Sequence, residues 1–225
     1  MGRPKQFMDL LERPALHYTL RAFEESPEIS RIYVAGDRER VEGLALESGI
    51  SKYAGCAPSG ACRPLSTRNG LALCGEDPET LVLIHDGSRC LVTPDLIGRV
   101  AAAMDEGADG SVPALPVSDT IKIAEGGFVS ETLDRSRLHA VQTPQAFRLG
   151  LLRGIFAAPE EDIIEATEDA SLVERSGGRV ALVPGEKTNI KLTSPEDLIL
   201  AEAILLARSD AHIGGRQTAS REVRS

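Results

Sequence analysis

The stretch Leu81-Val82-Leu83-Ile84-His85-Asp86-Gly87-Ser88-Arg89-Cys90-Leu91 passes abruptly from unbroken apolar side chains to an acid and a base. A short apolar run, bounded by Asp77-Pro78 and by a polar turn, predicts a strand buried on both faces of a parallel sheet. In such sheets ligands bind beyond the carboxyl ends of the strands, and Asp86 and Arg89 stand at that edge. An Asp there can hold a metal ion or a ribose hydroxyl, and an Arg a phosphate. A helix-capping Asp beside a surface Arg has the same appearance.

Outward from this strand, helical and extended patterns alternate, the signature of an α/β fold. Upstream, Leu16, Leu20 and Phe23 mark an amphipathic helix from Pro14 to about Glu25. A strand over residues 31–35 and a helix over 37–47, closed by Gly49, come next. Residues 59–71 read as a loop entering a short helix with Ser66 as its N-cap. Loop amides with Arg63 and Ser66 suit a nucleotide cradle and a plain capped turn equally well. Downstream, Thr93-Pro94 starts a helix to Glu106, and the two prolines in residues 111–117 point to an edge or irregular strand. Residues 121–133, turning at Gly126-Gly127, form a hairpin with little sequence to cover it. It is a candidate arm, about 119–141, that packs on another subunit. Gln142-Thr143-Pro144-Gln145 has the form of a helix start, and so does Ala166-Thr167-Glu168-Asp169. Residues 180–183 predict a strand and 198–207 a last helix. One domain, 1–208, and an unstructured polar tail, 209–225, are expected.

The 225 residues carry a formal net charge of −9, which argues against nucleic acid as a partner. Aromatic residues make up 4% and Trp is absent, which disfavours a base-stacking platform. With no apolar run of membrane-spanning length and no charged-then-apolar leader, a cytoplasmic protein without a membrane partner is expected. Cys56, Cys62, Cys74 and Cys90 lack paired-ligand spacing and read as free thiols, with Cys90 a small bland residue rather than a nucleophile. His17, His85, His139 and His212 show no metal pattern, and His85 on the apolar strand reads as a satisfied core histidine. Lys5, Arg63, Arg89, Arg135 and Lys191 fall in loops of this acidic chain, as Asp86 does. Such a set suits phosphoryl chemistry, where catalysis is positioning and charge stabilisation and no protein nucleophile is needed.

A set of motifs carries a more specific reading. In order they are Pro4-Lys5-Gln6-Phe7, Arg63 with Ser66 and Asn69-Gly70-Leu71, His85-Asp86 with Arg89, and Asp119-Thr120-Ile121-Lys122. Arg135, Gln142-Thr143-Pro144-Gln145, Thr167 with Asp169-Ala170-Ser171, and Asn189-Ile190-Lys191 complete it. From Pro4 to about Leu206 this succession resembles the 2-C-methyl-D-erythritol 4-phosphate cytidylyltransferase family. The resemblance implies a Rossmann-like nucleotidyltransferase fold, a mostly parallel sheet with helices on both faces and a protruding β-arm. It implies transfer of CMP from CTP to methylerythritol phosphate, giving 4-diphosphocytidyl-2-C-methyl-D-erythritol and pyrophosphate in non-mevalonate isoprenoid synthesis, with Mg2+ bridging the phosphates. Lys5 and Lys191 would be catalytic, stabilising charge on the triphosphate and at the α-phosphate. Asp86 would hold the ribose or the sugar alcohol, and Gly60, Arg63 and Ser66 the nucleotide. Arg89, Thr143 and Thr167 would bind substrate, and Arg135 would reach methylerythritol phosphate from the neighbouring subunit of a homodimer.

The sequence departs from the family pattern in places. The family opens with a strand and a Gly-rich Ala-Ala-Gly-x-Gly-x-Arg loop that cradles the triphosphate; neither has a counterpart here, so a start placed at an internal methionine is expected. Gly87-Ser88 stands for two alanines, Cys90 for a proline, Ala61 for a common acid and Glu168 for Asp. Two alternatives share most of the motifs: ribitol 5-phosphate cytidylyltransferase and an N-terminally truncated, non-catalytic dimeric remnant. Lys122 after Asp119-Thr120-Ile121, and Asn69-Gly70-Leu71 after Ser66, lean towards methylerythritol phosphate.

Overall fold

The computed structural model describes residues 5–222. A 3-10 turn, Lys5–Phe7, leads into a short hairpin of β1 (Asp9–Leu10) and β2 (Arg13–Pro14). In α1 (Ala15–Glu25) the expected Leu16, Leu20 and Phe23 lie on one buried face. β3 (Ile32–Ala35), α2 (Arg38–Glu47) and β4 (Tyr53–Ala57) then form a βαβ unit whose strands pair in parallel. Asp37 caps α2 by accepting from the Arg40 N–H at 3.2 Å, and Gly49, at φ +63°, supplies the left-handed exit.

α3 (Arg63–Leu71), β5 (Leu81–Ile84) and α4 (Pro94–Ala102) follow, with Thr93 capping α4 through the Leu96 N–H at 3.1 Å. β6 (Gly110–Pro116) precedes the arm, built from β7 (Lys122–Glu125) and β8 (Phe128–Thr132) around left-handed Gly126 and Gly127. β9 (His139–Val141), β10 (Gln145–Arg148), α5 (Leu149–Phe156), α6 (Glu160–Ile163), α7 (Asp169–Arg175), β11 (Val180–Pro184) and α8 (Pro195–Glu222) complete the order. Four strands of the central sheet run β11-β6-β10-β5, and β9 pairs with the far end of β6.

The α/β class is as expected, but several readings change. Residues 145–148 are a strand, not the first turn of a helix: β10 lies antiparallel between β5 and β6, and burial of Gln145, Ala146 and Phe147 outweighs the Thr-Pro signal. The sheet is consequently mixed rather than mostly parallel. Of the two readings of β6, edge or irregular, the second holds: it is central, and Pro113 falls between the stretch paired to β10, ending at Ser111, and the stretch paired to β9, starting at Ala114. α8 runs past the expected end at residue 207, in a stretch that has no proline to stop it.

β5 is half-buried rather than covered on all sides, because it is the edge of its sheet. The β3–β4 pair forms a separate sheet, and a cleft of about 860 Å³ lies between β3 and β5. α1 contributes Leu16, Leu20 and Phe23 to its walls, and α3 contributes Thr67, Gly70 and Leu71. Leu81 and Leu83 pack with the α1 cluster, Val82 and Ile84 with the cluster of α3 and α5, so the cleft is sandwiched by helical layers. Lys5, Arg63, Asp86 and Lys191 also line it.

Candidate active site

β5 ends at Ile84, and the chain leaves the sheet with Asp86 at the cleft. Asp86 Oδ1 accepts from Arg63 Nε at 2.8 Å and Oδ2 from Lys191 Nζ at 2.7 Å. The other arm of the Arg63 fork approaches Asp169 Oδ2 at 2.7 Å, off hydrogen-bond alignment, so that charge attraction rather than a directed bond holds this contact. Lys191, Asp86, Arg63 and Asp169 thus form one alternating chain of charge. Burial opposes ionisation of Asp86, yet Arg63 and Lys191 outweigh it and hold the carboxyl well below the usual carboxylate range. Asp169, only 1% exposed and with one cation, is pushed up by burial. Burial also works against the Arg63 charge, but the two carboxylates outweigh it and push its pKa up.

A neutral relay fixes the backbone beneath this cluster. Thr143 Oγ1 accepts from the Asp86 N–H at 3.1 Å, which leaves its own proton to point at His85 Nδ1, 2.9 Å away. His85 Nε2 then donates to the Arg89 carbonyl at 3.0 Å. Burial lowers the His85 pKa to about 4, so the ring is neutral and satisfied, as expected, although it lies just past the end of β5 and not on the strand. Arg89 turns inward: Nη1 donates to the Asn189 carbonyl at 2.9 Å and Nη2 to the Val141 carbonyl at 3.3 Å. Asn189, fully buried, donates to the Thr143 carbonyl at 2.9 Å.

On the opposite wall, the helix cap differs from expectation. α3 starts at Arg63 with Cys62 as the capping position, and Ser66 lies inside the helix. Its hydroxyl accepts from the Gly60 N–H at 3.0 Å and donates to the Cys62 carbonyl at 3.1 Å, tying the loop down onto the helix. A Cβ at Gly60 would sit 2.4 Å from that of Leu65, so only glycine allows this approach. Lys5 joins the cleft from the chain start, its Nζ donating to the Thr193 carbonyl at 3.0 Å.

Comparison with known proteins places these features in a family. The family model for 2-C-methyl-D-erythritol 4-phosphate cytidylyltransferase matches residues 1–207. The chain belongs to this family. A relative of that name from Rubrobacter xylanophilus is 68% identical over 208 residues, covering 92% of this chain and 90% of its own length. One from Geobacillus kaustophilus is 46% identical over 212 residues, covering 92% and 91%. The crystal structure of the cytidylyltransferase from Thermus thermophilus superposes with a TM-score of 0.74 at 37% identity, over 91% of this chain and 94% of that one.

Within this cytidylyltransferase the remaining sequence candidates lie apart from the Asp86 cluster. Arg135 is exposed at the base of the arm and donates to the Ser118 carbonyl at 2.8 Å. Thr167 is exposed just before α7. Cys90 is buried, and burial pushes its thiol up to about 11, the opposite of an activated nucleophile. Among the described residues no group of three or more His, Cys, Asp or Glu side chains stands together as a metal site. Spacing alone missed Asp169, whose place in the first turn of α7 gives an ordinary reason for an acid. It also missed Gln142, whose amide donates to the Glu186 carbonyl at 2.8 Å and accepts from the Glu186 N–H at 3.1 Å, splicing two loops below the cluster.

Proposed function

We propose that the chain transfers CMP from CTP to 2-C-methyl-D-erythritol 4-phosphate at the Asp86 end of the cleft, releasing pyrophosphate, as a cytoplasmic enzyme of isoprenoid synthesis. The observation that carries the reading is the gathering of Lys5, Arg63, Asp86 and Lys191 along one cleft, in a chain of the cytidylyltransferase family. The attacking phosphate oxygen needs no protein base, because the second ionisation of a phosphomonoester falls near pH 6. The work left to the protein is alignment and charge compensation. Lys191, whose side chain is 44% exposed, exchanges Asp86 for the α-phosphate as negative charge builds there. Lys5 gives up the Thr193 carbonyl for the triphosphate in the same way. Asp86, kept ionised by Arg63, is then free to accept a hydroxyl of the ribose or of the sugar alcohol.

Gly60 and Ser66 set the edge of the loop that faces the cytosine, and Arg63 anchors that wall. Thr143 and Arg89 act through the backbone of residues 85–89, while Thr167 and the arm residue Arg135 of a second copy contact the alcohol phosphate. The exposed Ile123, Phe128 and Val129 give the arm an apolar surface on which two copies pair. Asp86 is a lone carboxylate with one oxygen on each of two cations, so these residues do not by themselves hold Mg2+; the ion arrives with the triphosphate.

The test is pyrophosphate release from CTP and Mg2+ with methylerythritol phosphate and ribitol 5-phosphate offered in parallel. Turnover with the first is expected; turnover with ribitol 5-phosphate alone, or with neither, overturns the assignment. Arg135→Ala should raise KM for methylerythritol phosphate about tenfold and leave that for CTP within about twofold. The reverse ranking removes Arg135 from the alcohol site.

A further inference from the structure

We infer that Arg208, on α8, is a positioning residue for Lys191, so that the last helix takes part in aiming the catalytic lysine. The inference deepens the reaction proposed above and rests on it. Lys191 is exposed, whereas its neighbours Ile190 and Leu192 both pack into a small apolar cluster with Cys90 and Leu91. α8 closes that cluster with Leu198, Ala201, Ile204 and Leu205. One turn further along the same face, Arg208 Nη2 donates to the Leu91 carbonyl at 3.0 Å and to Thr188 Oγ1 at 3.0 Å. Leu91 closes the segment that follows Asp86, and Thr188 stands just before Asn189-Ile190-Lys191. One nitrogen thus joins the two segments that carry the acid and the lysine.

These segments also meet directly, in a seam. The Leu192 N–H donates to the Ser88 carbonyl at 2.9 Å, and Arg89 Nη1 to the Asn189 carbonyl at 2.9 Å. Lys191 Nζ meets Asp86 Oδ2 at 2.7 Å only while the seam keeps its register. A long lysine side chain is aimed by its backbone, and a misplacement of about 1 Å at a reacting group costs about a hundredfold in rate. Apolar packing has no direction, so by itself it would let α8 slide over the cluster. Two directed bonds from one charged donor to two different segments hold the seam in place, and charge-assisted bonds are the stronger kind. Arg208 is also the first residue beyond the stretch 1–207 that the family model matches, so its role does not follow from the family motifs.

Pyrophosphate release and amide hydrogen exchange on the whole chain test this. Arg208→Ala should lower kcat about thirtyfold and leave KM for CTP and for methylerythritol phosphate within about threefold, because an aimed lysine acts in the transition state. Thr188→Val, which leaves the packing of α8 intact, should lower kcat about fivefold, and adding it to Arg208→Ala should cost less than about twofold more. In a Lys191→Ala background, Arg208→Ala should change kcat by less than about twofold, since nothing remains to aim. Exchange needs no reaction: Arg208→Ala should speed it at Asn189 and Leu192 by at least about tenfold, and at Ala146 and Phe147 in β10 by less than about twofold. A full loss of kcat in the Lys191→Ala background, or a rise in KM in place of the fall in kcat, makes Arg208 a plain structural contact and overturns the inference. Unchanged exchange at Asn189 and Leu192 overturns it whatever the substrate. Faster exchange there, in a chain that turns over neither alcohol phosphate, upholds the link between the segments and overturns the proposed reaction instead.

Discussion

At the Asp86 cluster every charged group meets its partner from far along the chain: Lys191 reaches across 105 positions to Asp86, and Lys5 across 188 to the Thr193 carbonyl. Along the arm, residues 122–132 are all exposed and the strands pair only across their own turn. Tertiary closure fixes the cluster, so its geometry is as firm as the whole fold. Turn chemistry alone draws the arm, and a two-stranded ribbon is marginal by itself. Charge placement in the first region is thus a property of the fold, whereas order in the second depends on what covers it.

The largest test of this contrast is Lys191→Ala. It should lower kcat about a thousandfold, equivalent to about 4 kcal/mol, with the thermal midpoint nearly unchanged because Lys191 is on the rim. Unchanged turnover would sink its assigned role. Next comes Asp169→Ala, which takes from the largely buried Arg63 guanidinium the carboxylate facing its Nη1 and leaves it Asp86 alone. A loss of about 3 kcal/mol in urea unfolding is expected, and a neutral result would mean that the inner half of the charge chain holds nothing.

Acid gives a comparable effect by a different route. His85 titrates at about 4 when folded against 6.5 when free, so below 6.5 the unfolded chain takes a proton that the folded one refuses. Stability is therefore lost as pH falls from about 6.5 to about 4, by up to about 3 kcal/mol, and His85→Gln should flatten that window. An identical pH profile in the variant would exclude the ring as its source. The smallest effect belongs to the arm. Phe128→Ser should weaken self-association about tenfold in sedimentation equilibrium, about 1.4 kcal/mol, and leave monomer unfolding within about 0.5 kcal/mol. Unaltered association would take Phe128 out of the contact.

Legibility in the sequence followed locality. The 3.6-residue rhythm of Leu16, Leu20 and Phe23, the Thr93-Pro94 start and the Gly126-Gly127 turn are local signals, and each produced the expected element. β10 was misread because Thr143-Pro144 carries genuine helix-start chemistry, which lost to pairing with strands far away in sequence. β4 carries no alternation of its own; Tyr-Ala-Gly-Cys-Ala becomes a strand by lying beside β3. Asp86 and Lys191 could be grouped as loop charges from the sequence, but nothing in their spacing says that they touch. Asp169 stood in a motif, but its contact with Arg63 was not legible, because its place in the first turn of α7 already explained an acid.

The reach of those contacts bears on how the protein is made. Synthesis runs from the amino end, and Asp86 leaves the ribosome long before Lys191 and the Thr193 carbonyl exist to meet it and Lys5. A nascent chain can form α1 and the β3–α2–β4 unit early, but the charge chain stays open until the residues around 191 emerge. The half-made protein therefore carries an Asp86 without its lysine, and the cluster assembles only once the residues around 191 have emerged.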